Sequence, residues 1–554
     1  MLSILVAVLA AAPVQGANPI TPAAAPPENP VTAEKAVLGK ILFWEEQLSS
    51  DDTMACGTCH IASAGFTDPR VTAHPGFDQV PGTPDDIFTS PGIVRQDANE
   101  DFVPDPLFRL RRQLTPRRTP DVFSAQYVAE AFWDGRGSDT FTDPVTGLVE
   151  IQTGGALESQ ITGPPTSNRE MAHETRDWTA VVDKIRDARP LALATDIPSD
   201  MAAAVASYPD YPALFQWAFG TPDVTAKRIA FAIATYERTL VPDQAPWALW
   251  TAGNPTAMTP AQVDGWNQFN GIADCATCHP PPTFTNGDFH NIGLRPIAED
   301  AGRMDVTGNF ADRGKFKTPS LLNVGLRPRF WHNGQDRELI TMGPPPGPGQ
   351  PPVIGGVAGV YMAGGGPNLD NRDPLLIALR NVPGLNIHHL MDFVENALTD
   401  PRVAAETYPF DRPTLRSERV PFDSNFYGDA TPGRPGLPPL RLLAHVPART
   451  GSDVFKIGLA GGPAGATVLL GASWYASNGS LRAGAEVWIG NLLQPLMPVL
   501  LLDDGNGVGY ATVHAPLPAN SNLMGRTLRV QAFLLDPLAP SGACATEAAA
   551  FEVL

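Results

Sequence analysis

A chain of 554 residues that is 43 % hydrophobic is too long for one ordinary domain and apolar enough for real cores, which excludes global disorder and implies two to four domains. A formal charge of −19 argues against binding to nucleic acid or anionic membranes and favours a basic or locally positive protein partner, besides keeping the chain in solution. Proline (58) and glycine (51) together make close to a fifth of the residues, so many turns and long ordered loops are expected rather than a compact helical bundle.

The chain opens on an apolar run that closes on small residues, with Val14 and Gly16 fitting the positions before a cleavage point. Residues 1–17 are therefore expected to be a secretory signal peptide, although the usual basic start is missing. No later segment has an apolar run long enough to span a bilayer, so a periplasmic or secreted protein is expected. Next, Thr32 can cap a helix whose apolar face includes Val37, Leu38, Ile41 and Leu42. That helix leads to Cys56-Gly57-Thr58-Cys59-His60, and a long insertion, roughly 75 to 112, follows. A further helix is expected over Trp178–Ile185. Thr259-Pro260-Ala261-Gln262 then combines an N-cap, a proline at the first helical position and a capping-box glutamine. The helix it opens, through Val263, Trp266 and Phe269, leads to Cys275-Ala276-Thr277-Cys278-His279. An amphipathic helix is expected from Leu390 to Leu398, capped or packed by the preceding His388 and His389.

Past about residue 430 the pattern changes. Pro432, Pro435, Pro438 and Pro439 mark a linker. Leu528, Val530, Ala532 and Leu534 then alternate as in a half-buried strand, and Asn478-Gly479 and Asp504-Gly505 are hairpin signals. An antiparallel β-sandwich without a catalytic constellation is expected there, suited to docking a partner or surface. Asp503 to Gly507 reads as a plain turn in preference to a calcium loop, and Cys544 as a buried thiol.

The two CxxCH runs carry the chemistry. Covalent haem attachment needs two thiols spaced to reach both vinyl groups of one porphyrin, followed by a histidine that reaches the iron from the same face. Positions i, i+3 and i+4 of a helical turn supply that geometry. Cys56, Cys59, Cys275 and Cys278 are thus expected to anchor two haem c groups, with His60 and His279 as iron ligands. A dithiol redox motif needs no following histidine, and a four-cysteine zinc site needs pairs that converge. With 10 histidines in 554 residues, two such pairs would both precede His by accident roughly once in three thousand. Two helix-then-CxxCH units look like an internal duplication.

Leu38-Gly39-Lys40-Ile41-Leu42-Phe43, Leu48-Ser49-Ser50-Asp51, Arg118-Thr119-Pro120, Phe132-Trp133-Asp134-Gly135-Arg136, Phe316 to Leu321 and His332-Asn333-Gly334 occur in that order. With both CxxCH sites they make residues 30 to 420 resemble the bacterial di-haem cytochrome c peroxidase and MauG superfamily. The resemblance implies a mainly α fold of two facing cytochrome c-like domains, 18–242 (peroxidatic haem) and 243–430 (electron-transfer haem), before a β-sandwich domain, 431–554. It implies that Trp133 lies between the haems. It also implies that the stretch from Gln160 to Met171 is the distal segment, with Glu170 as acid–base group, Gln160 as hydrogen-bonding partner and Pro164 in the pocket wall. A helix-capping role for Glu170 is the rival. For the sixth ligand of the second haem, register favours Tyr361 and thioether affinity favours Met362, with Met342 a weaker option. The family's calcium site uses an asparagine where this chain has Arg118, and a guanidinium cannot coordinate a cation, which leaves calcium doubtful. His74, the histidine nearest the insertion, is either a distal ligand or a solvated loop residue. The implied activity is reduction of hydrogen peroxide with electrons from a small cytochrome or copper protein. The alternatives are MauG-like oxidation of a protein or organic substrate through high-valent haem, or a plain di-haem electron carrier.

Overall fold

Thr32 caps the first helix as its sequence position demands: its hydroxyl accepts from the amide of Lys35, and helix α1 runs Ala33–Phe43 with Leu38, Ile41 and Leu42 fully buried. The computed structural model describes residues 20–343, 353–420 and 425–554, so the expected signal peptide lies outside the described residues. Helix α1 packs across the helix Ala226–Thr239, so closely that a Cβ on Gly39 would overlap the carbonyl oxygen of Ala232. Around this pair a continuous apolar core runs from Ile20 to Leu415 and draws on both CxxCH halves.

The second half repeats the plan. Thr259 and Gln262 close a reciprocal capping box on the helix Pro260–Asn270, which ends just before Cys275. It lies against the helix Ile387–Asp392, whose N-cap is Asn386; His388 and His389 sit inside that helix's first turn rather than ahead of it. The regular helix stops at Asp392 and passes into a π turn over Phe393–Ala397, shorter than the expected run to Leu398.

The C-terminal region is a two-sheet sandwich. One sheet orders the strands Phe426–Tyr427, Ala548–Glu552, Thr527–Leu535, Thr467–Ser473 and Met497–Leu500. The other orders Arg441–Leu443, Lys456–Pro463, Val508–His514 and Leu502–Asp503. Pairing is antiparallel throughout, and Leu528, Val530, Ala532 and Leu534 all point into the shared core. Asp504-Gly505 forms the expected turn, where the carboxylates of Asp503 and Asp504 accept from the turn's own backbone amides. Asn478-Gly479 does not: it lies within the strand Ala476–Arg482, and that hairpin turns at Ala483-Gly484, both with positive φ. Here a Gly that signals a turn marks a strand irregularity instead.

The mainly α expectation needs correcting. About 26 % of the described residues are helical and 20 % strand, because the last 130 residues are β and short ribbons pin the loops of the two CxxCH halves. Two of those ribbons organise the insertion. Strands β1 (Thr72–His74) and β2 (Ile87–Thr89) pair, as do β3 (Pro91–Val94) and β4 (Arg112–Leu114). Val94, Phe102 and Leu110 turn away from the first CxxCH site and are buried in the core of the C-terminal sandwich. Among the described residues no helix is long and apolar enough to cross a membrane.

Candidate functional site

The first CxxCH forms a single helical turn, Cys56–Cys59, after which the chain folds back through Phe66. His60 Nδ1 lies 3.0 Å from the Phe66 carbonyl oxygen. A carbonyl can only accept, so Nδ1 carries the proton and Nε2 keeps a free lone pair. The second site repeats this, with His279 Nδ1 3.0 Å from the Phe284 carbonyl oxygen. Burial holds both imidazoles below their ordinary pKa, His279 at about 4, which keeps them neutral. A neutral imidazole oriented by a backbone carbonyl is the form that binds iron.

The thiols complete the picture. None of the five cysteines is in a disulfide. Burial pushes Cys56 and Cys275 up to about 12, the reverse of the depressed thiol that a dithiol redox motif requires. No set of three or more His, Cys, Asp or Glu side chains gathers for a metal ion among the described residues, so the two CxxC pairs remain separate sites.

Each pair opens into a cavity. The first, about 1000 Å³, is lined by Cys56, Cys59 and His60 together with Trp133, Gln160, Pro164 and Glu170. All the side chains expected around the first haem thus face one space. Gln160 lies in the last turn of the helix Ala156–Ile161, and Pro164 opens the following 3₁₀ turn. Glu170 caps nothing, because the helix Trp178–Asp187 is capped by Asp177, whose carboxylate accepts from the amide of Ala180. Burial raises the Glu170 pKa, partly offset by the nearby Arg136 charge. Sequence reasoning missed Glu237, a second buried carboxyl lining this cavity, pushed up by burial to about 8 and so protonated at neutral pH. It sits near the end of a helix without motif or spacing to mark it. His74 is not solvated: it is buried in β1, its Nδ1 accepts from the amide of Gly76 at 3.1 Å, and it too lines the cavity.

The second cavity, about 190 Å³, is lined by Cys275, Cys278, His279 and Tyr361. Tyr361 faces it from the helix Gly356–Ala363; Met362, next along that helix, is not among the lining residues, and Met342 is exposed on a short strand. Trp133 and Arg118 line both cavities and a smaller one, about 40 Å³, that adjoins His60. The Trp133 indole donates to the Arg118 carbonyl at 2.7 Å. His332 stacks on Phe316 with centroids 3.6 Å apart, a packing role.

Arg118 decides what fits between the cavities. Its guanidinium is buried, its Nε donates to the Trp331 carbonyl, and its Nη1 has no hydrogen-bond partner among the described residues. Burial and the adjacent Arg327 pull it down to about 9, and burial pulls the nearby Lys317 down to about 8. An orphaned buried donor of this kind demands an anion. Haem carries two carboxylate groups, so the residues present fit that cofactor; a calcium ion beside this guanidinium would meet the wrong charge.

The sequence profile of the family described as di-haem cytochrome c peroxidase matches residues 33–256. The cytochrome c551 peroxidase of Nitrosomonas europaea is 31 % identical over 349 residues, covering 61 % of this chain and 80 % of that protein. The methylamine utilization protein MauG of Methylorubrum extorquens is 30 % identical over 317 residues, covering 56 % and 67 %. Among solved structures, a MauG-like protein associated with microbial copper homeostasis aligns at 21 % identity and a TM-score of 0.47, over 71 % of this chain and 96 % of its own.

Proposed function

Because the chain belongs to the di-haem cytochrome c peroxidase and MauG family and is a peroxidase-type oxidoreductase, we propose that it reduces hydrogen peroxide to water, with electrons from a small redox protein passed through the second haem. The observation that carries this reading is the meeting of Cys56, Cys59, His60, Gln160, Pro164 and Glu170 around one cavity. Cys56 and Cys59 would hold the first haem c and Cys275 and Cys278 the second, with Nε2 of His60 and His279 on the irons. Haem, when bound, supplies an iron that exchanges electrons with an oxidant or a partner.

The chain's own groups manage the proton. Glu170 as carboxylate takes the proton from one peroxide oxygen and returns it to the other, which prepares that oxygen to leave as water; two electrons from the redox partner and two protons from solvent complete the conversion of the remaining oxygen to a second water. Its raised pKa, set by burial, brings the two protonation states closer together in free energy near neutral pH. The Gln160 amide orients the peroxide, and Pro164 helps exclude bulk water. Trp133, bordering both cavities, is the bridge for electrons between the sites. The leader-like first residues and the covalent haem motifs together support a location outside the cytoplasm.

A second reading, oxidation of a protein or organic substrate through the same sites, is favoured by Tyr361 rather than Met362 lining the second cavity, since an anionic oxygen ligand stabilises more oxidised iron. Steady-state peroxide consumption with a reduced small cytochrome tests the first reading. Turnover with a high-spin signal from one haem is expected, and Glu170→Gln should lower the rate by about 10²- to 10⁴-fold. Absence of both turnover and the high-spin signal would sink it.

A further inference from the structure

The insertion joins three parts of the molecule that are distant in sequence, and Gln96 is where they meet. Its backbone carbonyl accepts from the amide of Glu174 at 2.9 Å, in the segment that carries Glu170. Its side-chain Nε2 donates to Asp51 at 3.2 Å, five residues before Cys56. Its Oε1 accepts from Lys456 Nζ at 2.7 Å, and Lys456 belongs to the C-terminal sandwich. All three side chains are buried.

Contacts on either side of Gln96 extend the connection. Toward the first site, β3 lies flush on the Glu170 segment: a Cβ on Gly92 would overlap the carbonyl oxygen of Arg169 and crowd the Cα of Glu170. Gln113 of β4 donates to the Asn168 carbonyl at 2.7 Å, and Arg95 pairs with Glu174 at 2.7 Å. Toward the sandwich, Phe102 is buried in its core and the Phe102 amide donates to Thr512 Oγ1 at 2.7 Å. Lys456 is fully buried, yet its closest acceptors are uncharged: Gln96 Oε1 and the Glu100 carbonyl, with the Glu100 carboxylate further off at 3.4 Å. Burying an ammonium on such terms is unfavourable unless it fixes a particular arrangement.

We propose that the C-terminal sandwich is a positioning element for the first site, with Lys456 and Gln96 as positioning residues that hold the Glu170 segment against the cavity. Neither touches the cavity; both act through the backbone at 168–174. The claim rests on the reading of Glu170 as the acid–base group, but its structural half stands apart from that reading.

The test uses the full-length holoprotein with Lys456→Met and, since that change could prevent folding, the milder Thr512→Val at a partly exposed site. Hydrogen exchange of the amides at 168–174 is followed beside the pH dependence of the peroxide reaction and the optical spectrum of the second haem. Exchange at 168–174 should rise about tenfold or more while the helix Pro260–Asn270 and the second haem stay unchanged. Water entering the loosened wall should hydrate Glu170 and lower its raised pKa, so the rise of rate with pH should move to lower pH. Unchanged exchange and an unchanged pH profile in both variants would overturn the proposal. If Glu170→Gln leaves peroxide reduction intact, the acid–base reading fails, and exchange at 168–174 alone then decides whether the sandwich positions this segment.

Discussion

Tyr361 and Met362 are neighbours on one helix, and a helix turns its side chains about 100° per residue, so both cannot face the same cavity equally. Tyr361 lines it with Cys275 and Cys278, and burial holds its phenol well above the ordinary range before any cation is present. With Tyr361 as the sixth ligand, Tyr361→Phe should change the optical and EPR spectrum of the six-coordinate haem, and Met362→Leu should leave it unchanged. Sequence spacing alone could not choose between them, because register pointed to one and ligand affinity to the other. The residues around the first cavity were more legible. Chemistry fixes the CxxCH spacing, and a resemblance of the Gln160–Glu170 stretch to the family's distal segment pointed to the rest. Glu237 and the hydrogen-bond state of Arg118 were not legible, since burial is created by elements that meet only in the fold.

At the level of elements, capped helices were readable and ribbons were not. Thr32, Thr259 and Gln262 each announce a helix start by local hydrogen bonding, and each does what its position requires. The ribbons of the insertion have strands of three or four residues, too short for an alternation to register. Their importance lies in close approach. Gly92 has an ordinary φ, so the need for glycine there is one of space, set by the Arg169 carbonyl. Gly92→Ala should push β3 away from the Glu170 segment and slow the peroxide reaction about tenfold or more, with haem content unchanged. Stopped-flow mixing of the holoprotein with peroxide measures it.

Across the whole molecule, the sandwich was foreseeable as a unit but not as a neighbour of the first site, because the ties span 360 residues from Gln96 to Lys456 and 410 from Phe102 to Thr512. That junction also carries His445, buried beside Asp51, Arg112, Lys456 and Arg416. Burial pulls its pKa down to about 3, from an ordinary value near 6.5. A depressed folded-state value means that the unfolded chain binds the proton first. This contribution to stability is complete above about pH 6.5 and is lost as pH falls toward 3. Glu45 and Glu46, raised by burial, act with the opposite sign. Thermal melting from pH 7.5 to 4 should therefore fall less steeply for His445→Gln than for the parent, and the difference between the two isolates His445. The same junction imposes an order on maturation. A chain that emerges N-terminus first exposes Phe102 long before the strand bearing Thr512 follows, so the contacts of the insertion with the sandwich form only when nearly the whole chain is available. Residues around Cys275 close on partners no later than Val394. The second cavity can thus close while later parts of the chain are still unfolded, whereas the first gains its outer contacts only when the last strands join.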